Sequence, residues 1–284
     1  MPVALVTDTC HYLPRELVER CGLHEVSLYV HRGGDVRRES EITDYGAFFQ
    51  GLAAAAELPT TSQPSIGDFL AVYEPLVSSG HEIVSIHLSG GLSGTVRSAE
   101  QAREQLGDAA ERVHVVDSST ACGAEGLMLL AAAAAVRSGA DAGAVVERAR
   151  AARAELQFLF SLDTLEYLRR GGRIGGAQAW LGSALKIKPI LSLESEIGAV
   201  ERVRTSRRAF ERLVALIEQL KTDGCDGWVV QHTDVPEQAQ ALVERGREIF
   251  GTEPVFVSEI GPVIGTHIGP GLLGVGGTRR ALLD

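Results

Sequence analysis

Short apolar runs rich in valine and isoleucine alternate with alanine-rich segments of helical period through the first half of the chain. The runs predict strands at Val3–Thr7, Glu25–Val30, Glu82–Leu88 and Val113–Asp117. The segments between them predict helices at Pro14–Cys21, Asp44–Glu57, Ile66–Ser79, Ser93–Gln105, Gly123–Ser138 and Ala142–Ala154. This alternation is typical of βαβ units, so we expect a three-layer α/β lobe with a mainly parallel sheet.

The pattern changes near residue 155, where a hairpin joins the strands and helices. The predicted elements are a strand at Leu156–Leu162, a short helix at Thr164–Arg170, a hairpin of Lys186–Leu193 with Val200–Arg204, a helix at Ser206–Lys221, a strand at Gly227–Gln231, a helix at Pro236–Phe250 and a strand at Glu253–Ser258. We therefore expect an α/β fold of two packed lobes, 1–155 and 156–284, the second with a mixed sheet and helices on one side. No Pro/Ser-rich linker separates them.

Composition narrows the class of protein. The 284 residues are 45% hydrophobic, and the formal net charge is -10, which disfavours a nucleic-acid binder.

Four cysteines without a CxxC pair favour reduced thiols, and the eight histidines match no metal-binding motif, so we expect no metal and no cofactor. The longest apolar run, Leu127–Val136, is about half of the ~20 residues that a membrane helix needs. With no secretory pattern at residue 1, we expect a cytoplasmic protein.

Two loops with hydroxyl groups precede predicted helices. The loop at 59–65 carries threonines, serines and Gln63 between two prolines, which suits either a capped turn or an anion site. The loop at 89–95 has glycine two residues before Ser93 but Thr95 two residues after it. It therefore fails the G-x-S-x-G pattern of a nucleophile elbow, and an oxygen ligand at a helix start remains open.

The stretch GPVIGTHIGPGLLG, residues 261–274, surrounds one imidazole, His267, with five glycines and two prolines. Its end matches G-x-G-x-x-G, but a dinucleotide site needs a helix and an acidic residue about 20 positions further on, and only ten residues remain. We expect the glycines to permit turns with positive φ and a close approach of the backbone to a ligand.

Arginines and lysines concentrate in and beyond the segment 168–176. The concentration comprises Arg169, Arg170, Arg173, Lys186, Lys188, Arg202, Arg204, Arg207 and Arg208. Either it is a solvated charged face, or it meets phosphate or an acidic partner.

Seven stretches, taken in order, carry a resemblance to a known family. They are VTDTCHYLP, TSQPSIGDF, LSGGLSGTVRSA, VVDSSTACGAEG, TLEYLRRGGRIG, LKIKPIL and GPVIGTHIGPGLLG, and they extend over nearly the whole chain. The set resembles the DegV family, whose better-understood members are the fatty-acid-binding subunits of bacterial fatty acid kinase. The first motif has Cys10 after Thr9, where a serine is more usual after VTD, but a hydroxyl is kept.

The resemblance implies a site for one long-chain fatty acid in an apolar tunnel. It assigns the carboxylate to Thr61, Ser93 and His267, and we add their neighbours Ser62, Gly94 and Thr266 as ligand-binding candidates. It further implies a partner, an ATP-dependent kinase subunit that phosphorylates the bound acid for phospholipid synthesis, and a transient membrane contact during delivery. Arg170, Arg173 and Arg204 would contact the kinase or the phosphate, with Arg202 an alternative to Arg204.

A tunnel of this kind needs a continuous apolar lining. Candidates are Leu127–Leu130, Phe158, Phe160, Leu162, Leu165, Ile187, Ile190, Leu191 and Ile264, all of which equally suit an ordinary core. Two other functions remain open: an acyl hydrolase or transferase that uses Ser93 with His267, and a regulatory or nucleic-acid-binding protein that uses the arginine cluster. The preferred fatty acid and the oligomeric state do not follow from the sequence.

Overall fold

The structure, a computed structural model, describes residues 1–181 and 187–284. Its strands are β1 (Val3–Asp8), β2 (Leu23–Val26), β3 (Tyr29–Arg32), β4 (Asp35–Arg38), β5 (Thr60–Ser62), β6 (Glu82–His87), β7 (Val113–Asp117), β8 (Gln157–Ser161), β9 (Lys188–Glu194), β10 (Glu196–Val203), β11 (Gly227–His232), β12 (Phe256–Glu259) and β13 (Leu273–Thr278). Its α-helices are α1 (Arg15–Cys21), α2 (Tyr45–Ala53), α3 (Ile66–Ser78), α4 (Thr95–Gln105), α5 (Cys122–Arg137), α6 (Ala142–Glu155), α7 (Glu166–Arg170), α8 (Ser206–Thr222), α9 (Pro236–Phe250) and α10 (Pro262–Ile268).

The first sheet is parallel, with the strand order β2-β1-β6-β7. Successive side chains of a strand point to opposite faces, and β1 follows this rule. Leu5 packs into the core formed with α5 and α6, whereas Val6 packs into the core formed with α3 and α4. The sheet thus lies between two helical layers, as the alternating pattern predicts.

The second sheet is mixed and has the order β10-β9-β8-β13-β11-β12, in which β11 and β12 form a parallel pair. Helices α8 and α9 cover one face, where Trp228 and Val230 are fully buried. Val229, between them, points to the other face and joins the core of α5. The two helices from the second half of the chain, α8 and α9, lie on one side as predicted, but α5 from the first half covers the other side. The predicted fold class is therefore confirmed, while a domain boundary near residue 155 stays a prediction.

The structure differs from the predicted elements in several places. Glu25–Val30 is not one strand: β2 belongs to the parallel sheet, and β3 to a small sheet of order β4-β3-β5. Strands β4 and β5 were not predicted, because β4 is exposed throughout and β5 is the polar sequence TTS, so neither has an apolar period. Lys186, the predicted start of the hairpin, lies outside the described residues, and β9 is described from Lys188.

The glycine-rich stretch forms helix α10 and the start of strand β13, where we predicted turns. Helix α10 was not predicted because its sequence has a low helix propensity. Tertiary contacts with neighbouring side chains stabilise it. A Cβ atom on Gly265 would lie 2.8 Å from the ring of Phe49 on α2, and one on Gly261 would lie 2.7 Å from the ring of Tyr12. These two glycines admit the protein's own aromatic rings, not a ligand, which corrects that expectation. Gly269 and Gly271 have φ of 73° and 91°, as the turn into β13 requires.

We expect Gly246→Ala to destabilise the protein by about 1–3 kcal/mol, because its Cβ would overlap the buried ring of Trp228. Gly143→Ala is the matched control: it is also helical, and the nearest atom to its Cβ is the Asp141 carboxylate at 3.4 Å. Alanine there should be neutral or stabilise by up to ~1 kcal/mol. Urea unfolding measures the stability of both variants. Equal unfolding midpoints for the two would contradict the packing described for α9.

Candidate functional site

Three chain segments that are distant in sequence meet at one cavity. Thr61 lies on β5, Ser93 lies in the loop between β6 and α4, and His267 lies on α10. The cavity has an empty volume of about 880 Å³, including its opening to solvent. Its lining residues are mostly apolar: Leu28, Thr61, Ser62, Gln63, Leu88, Leu92, Ser93, Thr120, Ala121, Cys122, Phe158, Phe160, Leu168, Arg173, Leu193, Ile197, Ile260, Val263, Ile264, His267, Ile268 and Leu272.

A hydrogen bond between Thr61 and His267 joins two of these segments. Thr61 Oγ1 lies 2.7 Å from His267 Nε2, across 206 residues of sequence. Strand β5 is held in place by antiparallel pairing with β3, in which Thr61 faces Val30. The neighbouring hydroxyl of Ser62 lies 2.8 Å from Nε2 of His31 on β3. The small sheet that the sequence did not reveal therefore positions both hydroxyl groups.

The imidazole of His267 is neutral at physiological pH. Burial, and secondarily the nearby guanidinium of Arg173, lowers its pKa from 6.5 to about 4. Its Nδ1 atom is shielded from solvent and has no hydrogen-bond partner among residues 1–181 and 187–284. Nδ1 lies against the backbone of Gly171, where a Cβ would be only 2.5 Å away. The ring is thus fixed between Thr61 and Gly171, with one nitrogen left unsatisfied.

Ser93 lines the cavity and forms a separate local pair. Its Oγ lies 2.9 Å from Oγ1 of Thr95, the first residue of α4. Gly94 and Thr266, which we also predicted as ligand-binding, are not lining residues. A Cβ on Gly94 would lie 2.9 Å from the Gln63 amide, and the Thr266 hydroxyl donates to the Pro262 carbonyl at 2.8 Å inside α10. Thr61, Ser62, Ser93 and His267 do line the cavity.

The apolar lining agrees only in part with the predicted set. Phe158, Phe160 and Ile264 line the cavity. Leu127–Leu130 do not: they are buried in the core between the two sheets, which corrects that assignment. The leucines were assigned on hydrophobicity alone, and hydrophobicity does not distinguish a core position from a cavity wall.

Two parts of the wall were missed from the sequence. The residues Thr120–Cys122 lie in the VVDSSTACGAEG stretch, for which no role was predicted. The hairpin of β9 and β10 contributes Leu193 and Ile197, and its tip is anchored to the parallel sheet. Ser195 at the tip donates its N–H to the Ser119 carbonyl at 2.8 Å, and its own carbonyl accepts from the Ser89 hydroxyl at 2.6 Å. Such contacts depend on tertiary structure and have no local signature.

The predicted arginines are exposed on the surface. Arg173 also lines the cavity, where its guanidinium donates to the Gly171 carbonyl at 2.7 Å. Arg170 lies 3.5 Å from the Ala56 carbonyl, and Arg204 lies just after β10. Arg202 has its guanidinium 5.6 Å from the centre of the Trp180 ring. The assignment of Arg202 or Arg204 as the contact residue stays open.

Across residues 1–181 and 187–284, no three His, Cys, Asp or Glu side chains form a group that could hold a metal ion. In the same residues no helix combines the length and the apolar character needed to cross a membrane.

Comparison with known proteins places the chain in a family. A family model described as an uncharacterised protein of the DegV family matches residues 2–279. The chain belongs to the DegV family. It is 35% identical to Protein DegV of Bacillus subtilis over 278 residues, which is 97% of this chain and 98% of that protein. It is 40% identical to a DegV domain-containing protein of Streptomyces coelicolor, over 96% of this chain and 97% of that protein.

Solved structures of DegV proteins share this fold and have a known class of ligand. A DegV family protein of Thermus thermophilus, described by its fatty acid binding, superposes with a TM-score of 0.89 at 36% identity, covering 98% of this chain and all of that one. DegV of Bacillus subtilis, described as a fatty acid binding protein, gives a TM-score of 0.88 at 34% identity, with the same coverage. DegV structures thus bind fatty acids, and the resemblance in the motifs is confirmed at the level of family and fold.

We expect NMR titration of the unliganded protein to give His267 a pKa near 4, since the low pKa arises mainly from burial. As pH falls, the unfolded chain takes up this proton first, near 6.5, so the contribution of His267 to stability is complete above 6.5 and is lost towards pH 4. The loss is on the order of 3 kcal/mol at most. His267→Gln should reduce the loss of stability between these pH values. A wild-type pKa near 6.5 would contradict the described burial.

Proposed function

We propose that this protein binds one long-chain fatty acid in the cavity, with the carboxylate held by Thr61, Ser93 and His267. The observation that carries the proposal is the 2.7 Å contact of Thr61 with His267 at a polar part of an otherwise apolar wall. The homologous DegV structures described as fatty acid binding support the ligand class. Ser62 lies beside Thr61, while Gly94 and Thr266 act only through the positions of Ser93 and His267.

The apolar part of the cavity suits the hydrocarbon chain. Burying a chain of ~15 methylenes is favourable by about 12 kcal/mol as an upper figure. Association and ordering of the chain cost about 4–15 kcal/mol, so the net affinity is finite and the ligand can be released. Finite affinity suits a protein that carries a ligand and hands it on.

The carboxylate needs donors, because a buried and unpaired anion is very costly. The hydroxyl groups of Thr61 and Ser93 can each turn to donate, and a neutral imidazole has one N–H to offer. Hydrogen bonds to a charged group are about twice as strong as neutral ones. An approaching carboxylate also raises the pKa of His267, since an opposite charge favours the protonated ring. Ligand binding therefore counteracts the decrease in the His267 pKa that burial causes in the unliganded protein.

Three exposed arginines extend the proposal to a partner. We assign Arg170, Arg173 and Arg204 to contact with an ATP-dependent fatty acid kinase or with the phosphate that it transfers to the bound acid. Guanidinium groups suit phosphate recognition, and exposed ones are free to meet another protein. The protein itself then performs no chemistry: it is a cytoplasmic carrier that feeds phospholipid synthesis, with a transient membrane contact during delivery.

The geometry disfavours the alternative, a serine-dependent hydrolase or transferase. A serine nucleophile needs a base within hydrogen-bond reach, and that base needs a third group to orient it. The hydroxyl of Ser93 pairs with Thr95, and Nε2 of His267 pairs with Thr61. In the part of the chain that the structure describes, Nδ1 of His267 has no partner, carboxylate or otherwise. A linked Asp8, His87 and Ser85 chain does occur, but all three side chains are fully buried and out of reach of a substrate.

We expect mass spectrometry of an organic extract of the purified protein to detect a long-chain fatty acid, and the delipidated protein to bind C14–C18 acids. Thr61→Val and His267→Leu should each weaken binding about 10- to 100-fold, since each removes a hydrogen bond to the carboxylate. Calorimetry measures the affinities.

Thr278→Val is the control for these variants. Thr278 is also buried, and its hydroxyl donates to the Ala152 carbonyl at 3.2 Å, away from the cavity. The affinity of Thr278→Val for fatty acid should equal that of the wild type.

An empty extract together with no binding by the delipidated protein would refute the proposal. Ser93→Ala should lose only binding; loss of turnover on activated acyl esters would favour the enzyme alternative.

The partner is tested separately with the fatty acid kinase of the source organism. Arg170→Ala and Arg204→Ala should lower the rate of acyl-phosphate formation about tenfold and leave fatty acid affinity unchanged, because interface charges act on association. Arg245→Ala on α9, where the arginine pairs with Glu248, is the control. Unchanged rates in both the Arg170→Ala and the Arg204→Ala variant would remove these arginines from the partner contact.

A further inference from the structure

A buried carboxylate, Glu39, lies at the start of the helix that carries His267. Glu39 is 2% exposed, and its Oε1 accepts the N–H of Val263, in the first turn of α10, at 2.7 Å. The same oxygen accepts the Tyr12 hydroxyl at 2.8 Å, and Oε2 accepts the Thr9 hydroxyl. Glu39 is therefore the point at which three donors from two distant segments meet.

Tyr12 makes a second link between these segments. Its hydroxyl oxygen accepts the N–H of Ile264 at 3.2 Å, so the first two free amides of α10 after Pro262 both have partners outside the helix. Tyr12 has φ of 48°, a conformation that few residues other than glycine adopt. Gly261 leaves space for its ring. The VTDTCHYLP motif, which contributes nothing to the cavity lining, thus supplies Thr9 and Tyr12 to this anchor.

Movement of α10 would affect the site directly. The helix has seven residues, and Val263, Ile264, His267 and Ile268 all line the cavity. A helix this short has little stability of its own, so its position depends on tertiary contacts. Any shift changes the distance between His267 and Thr61, the pair proposed to hold the carboxylate.

We infer that Glu39 is a positioning residue, which fixes α10 through Val263 and Tyr12 and so holds His267 in place for the ligand carboxylate. This inference rests on the proposed function.

The pKa of Glu39 is shifted by burial and by its hydrogen bonds. Burial is the main cause that raises its pKa from 4.5 to about 7, and the hydrogen bonds from Thr9, Val263 and Tyr12 oppose that shift. The other titratable groups that interact with it are Asp8, Cys10, Tyr45 and Cys122. A neutral glutamine can keep the Val263 and Tyr12 bonds through its oxygen and can donate to Thr9 through its amide. Charge is therefore dispensable for the anchor, but the oxygen acceptor is required.

The test compares Glu39→Gln with Glu39→Met, which fills similar space without an acceptor. Stearate affinity of the delipidated protein should stay within about threefold of wild type for Glu39→Gln and fall about tenfold or more for Glu39→Met. Hydrogen exchange of the unliganded protein should show faster exchange at Val263 and Ile264 in Glu39→Met only. A role in packing alone would leave Glu39→Met equal to Glu39→Gln in both measurements.

Glu125→Gln and Glu125→Met are the controls. Glu125 is also fully buried, but its hydrogen bond is with Thr7 on β1, not with α10. Both should bind stearate as wild type does, whatever their thermal stability. Equal loss of affinity in Glu39→Met and Glu125→Met would overturn the inference. Failure of the wild type to bind stearate would refute the proposed function. Hydrogen exchange at Val263 and Ile264 would still test whether Glu39 anchors α10.

Discussion

The structure depends on one constraint: an anionic group can be buried only where donors meet it. Within the cavity we propose that the donors are a hydroxyl from β5, a hydroxyl from the loop before α4 and an imidazole from α10. Their convergence requires the small sheet to hold Thr61, the parallel sheet to end beside Ser93, and α10 to sit between α2 and α7. In the proposed function the apolar walls add affinity, and the donors determine where the carboxylate of the ligand lies.

The same constraint applies within the protein. Glu39 is itself a buried carboxylate, and the protein meets it with a backbone amide and two hydroxyl groups. This internal carboxyl group accepts the N–H of Val263 and so anchors α10, the helix that carries His267. Two glycines of the 261–274 stretch have a related purpose, since Gly261 and Gly265 leave room for the Tyr12 ring and the Phe49 ring. Gly171, just after α7, leaves room for the His267 ring in the same way. The stretch is rich in glycine because α10 is packed tightly against side chains on several sides.

Elements with a strong apolar period could be predicted from the sequence. Val113–Asp117 and Pro236–Phe250 have the predicted bounds, because buried strands and amphipathic helices leave a periodic pattern. Strand β5 and helix α10 could not, since TTS is polar and α10 contains a central glycine. The residues of the candidate site were predicted one at a time, each from its own sequence motif. Glu39, Tyr12 and the Ser195 contact were missed, because only the tertiary structure brings them to α10 or to the cavity wall.

The most direct test of the central claim is a crystal structure of the delipidated protein after reconstitution with stearate. The account predicts continuous density along the cavity that ends with the carboxylate within hydrogen-bond distance of Thr61, Ser93 and His267. Density in which the carboxylate points away from His267, or stearate bound outside this cavity, would contradict it.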